Sequence, residues 1–131
     1  MPIERKAILC LCEDATLLEL RRLLLERFGY TVWPAHSAEA AATIAKNDCP
    51  DMFLMDHSFR GAHFKEVAEK VRTACPEVIT VVLSPYFATR RTPETAVDRF
   101  ISRDEAPDHL IANIRELLGS QSDEPSGSQE M

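Results

Sequence analysis

Five positions able to do chemistry stand at the ends of apolar runs in this 131-residue chain: Glu13 and Asp14 after the first run, Asp56 and Ser84 closing two later ones, and Arg103 after the last. Gathered at one edge, this set suits a divalent cation and a phosphoryl group. Mg2+ favours a few carboxylate oxygens and retained waters, so Glu13, Asp14 and Asp56 are suitable ligand types. An aspartate beside such an ion attacks a phosphoryl donor and becomes an acyl phosphate, whose added charge requires hydrogen-bond donors and a cation. Ser84 and Arg103 are candidates for those roles.

The order of elements predicts how these residues meet. Residues 7–12 form a short, continuously apolar run ending on acids, the pattern of a strand covered on both faces. Over residues 16–28, Leu17, Leu20, Leu24 and Phe28 recur at helical spacing, with Glu19, Arg22 and Glu26 on the other side and Gly29 as a stop. A brief β-prone stretch at 30–34 precedes Ser37, an N-cap for an alanine-rich helix ending near Asn47. Residues 51–56 read as the next buried strand, 62–74 as a helix, and the β-branched run 78–84 as a strand. Between Pro85 and Val97 the prolines leave room only for a short helix, at 93–97. Residues 99–102 give a last strand, and Pro107 opens a closing helix that carries Leu110, Ile111, Ile114, Leu117 and Leu118 on one face before Gly119.

Five strands alternating with helices predict a doubly wound α/β domain over residues 1–119, built on a parallel sheet, with 120–131 as a disordered polar tail. In such sheets function gathers beyond the carboxyl ends of the strands, where the five residues fall. No GxGxxG or Walker-type glycine loop is present, so nucleotide binding lacks its usual motif.

Composition narrows the classes further. The formal net charge of -6 discourages binding to nucleic acid, and the pairs Arg21-Arg22 and Arg90-Arg91 read as solvated faces. No apolar stretch reaches the length of a membrane span. Of the four cysteines, at 10, 12, 49 and 75, two lie inside the first buried run; a disulfide framework is not expected, and a reducing cytoplasm fits that usage.

The segments ILCLCED (8–14), PDMFLMD (50–56), VITVVLS (78–84) and DRFISR (98–103) resemble, in order and approximate spacing, the motifs of two-component response-regulator receiver domains. The resemblance covers roughly residues 6–118 and implies a flavodoxin-like fold with strand order 2-1-3-4-5. It implies Asp56 as phosphoacceptor, Ser84 as switch hydroxyl, Phe100 at the aromatic switch position and Arg103 in place of the family's lysine. It further implies a metal site from Glu13, Asp14, Asp56 and the backbone carbonyl of Ser58. The expected function is a stand-alone receiver in phosphorelay signalling, phosphorylated by a histidine kinase, a phosphotransfer protein or a small donor, with output through an unidentified protein or a homodimer.

Several residues depart from that pattern. Counting back from Gly29-Tyr30 sets the family's acidic pair on Cys12 and Glu13, which weakens the expected hold on Mg2+. Pro85 has no N–H to offer a phosphoryl oxygen, a loss of about 1.5–3 kcal/mol for a charge-assisted hydrogen bond. Arg60 stands where proline is common, while Gly61 matches, and the segment where the fourth helix belongs is short. These departures keep a phosphate-independent interaction module as the competing reading. A metal-dependent phosphohydrolase using Asp56 is disfavoured, because no insertion builds a substrate pocket. Cys12 among carboxylates reads as an inert thiol, since neighbouring negative charge opposes the thiolate.

Overall fold

The computed structural model describes residues 6–56, 64–84, 97–102 and 107–119, the side chains of Phe64 and Ser84 excepted. Its elements are β1 (Ala7–Leu11), α1 (Ala15–Arg27), β2 (Thr31–Ala35), α2 (Ala38–Asn47), β3 (Met52–Asp56), α3 (Phe64–Ala74), β4 (Ile79–Ser84), β5 (Arg99–Ser102) and α4 (Pro107–Leu118). All four strand pairings are parallel, and the sheet runs β2-β1-β3-β4-β5, the order implied by the resemblance. The helix expected at 93–97 and the tail expected at 120–131 lie outside the described residues.

Alternation along the central strands divides the core into two layers, because successive side chains point to opposite faces. Ile8, Cys10 and Cys12, with Met52 and Leu54, pack beneath α1 and α4. Leu9 and Leu11, with Phe53 and Met55, pack beneath α2 and α3. Asp56 has the parity of Met52 and Leu54, so the pleat places it on the α1 face at the carboxyl end of β3.

Helix α1 departs from the expected face. Leu18 and Leu25 are its buried residues, Leu17, Leu24 and Phe28 flank them, and Leu20 is 58% exposed. The two buried leucines are seven positions apart, and Arg21 lies between them at helical spacing, on the inward stripe. Asp14 caps the helix, its Oδ1 accepting the Leu17 N–H at 3.0 Å, and Gly29, at φ 96°, adopts the left-handed conformation that turns the chain into β2.

The cysteines also correct the sequence reading: Cys49 and Cys75 form a disulfide, with Cα atoms 5.5 Å apart. Each closes a helix that leads into a neighbouring strand, Cys49 between α2 and β3, Cys75 between α3 and β4. Because β3 pairs with β4 and both helices cover the same face, residues 26 apart in sequence become adjacent. Cysteine usage therefore carries no argument for a reducing compartment. Among the described residues, no helix is long and apolar enough to cross a membrane.

Candidate functional site

The α1 face of the sheet's carboxyl edge gathers three side chains. Asp56 ends β3 and is 1% exposed; Cys12 follows β1 and is fully buried. The Cys12 N–H donates to Ala35 O at 3.1 Å, extending the β1–β2 ladder by one residue and fixing the thiol on the inner side of the strand end. From there Sγ donates to Asp56 Oδ2 at 3.7 Å. The third member is Arg21, whose Nη1 donates to the same Oδ2 at 2.6 Å, with its side chain only 11% exposed.

Arg21 is the residue that sequence reasoning missed. The sequence groups it with Arg22 as a solvated face, and that description holds for Arg22, which pairs with Glu19 and Glu26 along the helix surface. For Arg21 the description fails, because the seven-residue interval between Leu18 and Leu25 carries it inward. A carboxylate buried to this degree is costly unless paired, and the guanidinium supplies that compensation through a charge-assisted hydrogen bond.

The thiols nearby are held neutral. Burial, and to a lesser degree the negative charge of Asp56, raise Cys12 above the ordinary thiol range, against an opposing backbone hydrogen bond at Asp14 and the charge of Arg21. Cys10, deeper beneath α1, is pushed up to about 12, chiefly by burial. Protonated Cys12 is therefore a weak hydrogen-bond donor toward Asp56 and a poor nucleophile or metal ligand.

The remaining predicted residues are distributed unequally around this cluster. Glu13 is exposed, and Asp14 spends its Oδ1 on the helix cap. Ser84 ends β4 one residue beyond Leu83, the partner of Asp56, so its backbone stands beside the site. Phe100 is half-buried on β5, opposite Val82, and packs with the α2 and α3 layer. Ser58 and Arg103 lie outside the described residues.

As arranged, the described donors do not fit a divalent ion. Mg2+ requires a near-octahedral set of oxygens. Of the candidates, Asp56 already holds a cation on Oδ2, Cys12 presents a protonated thiol and Asp14 caps a helix. No group of three or more His, Cys, Asp or Glu among the described residues is placed to hold a metal. Beside the cluster, an open groove of about 280 Å³ lies between α1, β4 and α4, lined by Leu17, Leu20, Leu24, Leu83 and Leu110 and bordered by Arg21.

Comparison with solved structures decides the architecture. TrrA of Thermotoga maritima, a response regulator crystallised with Mg2+-BeF, superposes with a TM-score of 0.76 at 24% identity, covering 86% of this chain and 99% of that one. CheY4, a chemotaxis protein of Vibrio cholerae, gives 0.75 at 16% identity, covering 88% and 100%. The fold is that of a response-regulator receiver.

This receiver fold is accompanied by sequence similarity to regulators. HoxA of Cupriavidus necator, a hydrogenase transcriptional regulatory protein, is 27% identical over 90% of this chain. The DNA-binding response regulator MtrA of Mycobacterium tuberculosis is 26% identical over 96%. The chain spans 25% and 56% of those two proteins' lengths. No protein-family model matches it. TrrA also occurs in a crystal with the histidine kinase ThkA, with a TM-score of 0.76 to this receiver fold.

Proposed function

We propose that the chain is a receiver of phosphorelay signalling in which Asp56 accepts a phosphoryl group from a histidine kinase, a phosphotransfer protein or a small donor. The observation that carries this reading is the Asp56 carboxylate, buried at the carboxyl end of a central strand and held by a cation at 2.6 Å. A charged group is kept in such a place only at a cost, and the fold puts it where open α/β sheets do their chemistry. The ThkA–TrrA complex supports the kind of donor, a histidine kinase.

In this reading one Asp56 carboxylate oxygen attacks the donor's phosphorus, the bond to the leaving group breaks, and an aspartyl phosphate forms. Ser84 and Arg103 are its expected hydrogen-bond and charge partners, with Phe100 responding to the hydroxyl's movement. Divalent metal is held weakly, because Cys12 replaces an acid and Arg21 competes for Asp56. The domain acts through protein contacts in the cytoplasm, with an output protein or a second copy as partner, and turns over no external phosphate ester.

Intact-mass measurement after incubation with acetyl phosphate and Mg2+ tests the proposal. One phosphoryl adduct is expected on the wild-type chain and none on Asp56→Asn. Absence of an adduct at high donor concentration, with the protein folded, would replace this reading by a phosphate-independent interaction module.

A further inference from the structure

We propose that Arg21 is the resident cation of the site: its guanidinium takes the place of a bound divalent ion at Asp56, in both the resting and the phosphorylated states. This deepens the phosphoacceptor reading and rests on it for the phosphorylated state alone. Three observations converge. Arg21 Nη1 lies 2.6 Å from Asp56 Oδ2. Arg21 is carried on the inward stripe of α1, between Leu18 and Leu25, which anchors its backbone through packing. The strand-end position facing Asp56 holds the thiol of Cys12 rather than a carboxylate, 3.7 Å from the same oxygen. Among the described residues, the buried Asp56 carboxylate is thus already paired with a guanidinium, which opposes the approach of a second cation. An ion bound on Oδ2 at Mg2+–oxygen distance would also stand close to a guanidinium of like sign.

The same group suits the phosphorylated state. When Asp56 attacks acetyl phosphate, the new O–P bond forms as the P–O bond to acetate breaks, and acetate leaves with the electron pair. The charge added at Asp56 is then within reach of a planar fork that pairs bidentately with phosphoryl oxygens. The groove beside Arg21 gives the side chain room to follow the phosphoryl group.

Two measurements on the full chain test the assignment. In the first, adduct formation from acetyl phosphate is compared in EDTA and in 10 mM Mg2+, roughly the upper end of useful concentrations. The wild-type rate is expected to change less than about threefold. Arg21→Met should lose at least about tenfold in EDTA and recover in Mg2+, with Arg21→Lys intermediate. Strict dependence of the wild type on Mg2+ would overturn the proposal. In the second, Mg2+ is added during thermal unfolding. Arg21→Met, or Arg21→Lys if the methionine variant does not fold, should gain several degrees in Tm while the wild type gains less than about one. Equal Mg2+ stabilisation of wild type and variant overturns the resident cation. A complete absence of adducts in every sample defeats the phosphoacceptor reading, and the melting comparison alone then decides the role of Arg21.

Discussion

The pairing of Arg21 with Asp56 predicts a large energetic coupling between two residues 35 positions apart. Arg21→Met keeps the aliphatic stem against Leu18 and Leu25 and removes the guanidinium. Breaking a buried pair by deleting one partner costs about 3–5 kcal/mol. The loss expected for this pair is about 3–4 kcal/mol, since the Arg21 side chain is 11% exposed rather than fully buried. Asp56→Asn should cost less, about 1 kcal/mol, since the amide oxygen still accepts a hydrogen bond and Arg21 borders an open groove. The double variant leaves neither charge and should lose only about 2 kcal/mol. Urea unfolding followed by the fluorescence of Trp33, the single tryptophan, gives all four stabilities in EDTA. A coupling of about 2 kcal/mol or more is expected. Additivity within about 0.5 kcal/mol would refute a buried ion pair at this site.

Other consequences are simpler to measure. Reducing the Cys49–Cys75 bond frees a loop closed across 26 positions and should lower stability by about 3 kcal/mol, read as a fall in Tm on adding a reductant that Cys49→Ala/Cys75→Ala does not show. Because folding raises the Cys10 thiol to about 12, the stability it contributes is complete below about pH 9 and lost above, at about 1.4 kcal/mol per pH unit; Cys10→Val should flatten that alkaline decline. Cys10 and Cys12 should resist iodoacetamide at pH 8 in the folded protein, and mass spectrometry should find both alkylated after unfolding in urea. Asp14→Ala should cost about 1 kcal/mol through loss of the α1 cap, with little effect on the Asp56 adduct if Asp14 ligates no metal.

The sheet was legible because its strands are short apolar runs whose covered faces leave few alternatives. The position of Asp56 at a strand end was equally legible, and the structure places it there, buried. Arg21 was not, because the sequence reading let four apolar side chains define the face of α1, including Leu20, which faces outward. The signal was available in the spacing Leu18-Arg21-Leu25, which only becomes informative once the neighbouring carboxylate is known to need a counter-charge. The disulfide escaped for a related reason. Cys49 and Cys75 lie outside the strands, and the pairing of β3 with β4 is what makes them neighbours.

Replacing a metal by a side chain changes what the site responds to. A bound divalent ion carries twice the charge, but its occupancy varies with free concentration and it must be drawn from water. A guanidinium on α1 is present at one per site, is oriented by the packing of its helix, and supplies fixed donors at a defined distance. Its single charge limits how much phosphoryl charge it neutralises. The hold on α1 is then part of the site's chemistry: loosening Leu18 or Leu25 should weaken the Arg21–Asp56 bond as well as the core. A metal-centred arrangement would separate those two effects, since the ion would stay on Asp56 when the helix shifts. Leu25→Ala, about 2–5 kcal/mol less stable for a buried leucine, should for that reason also slow adduct formation in EDTA under conditions where the variant remains folded.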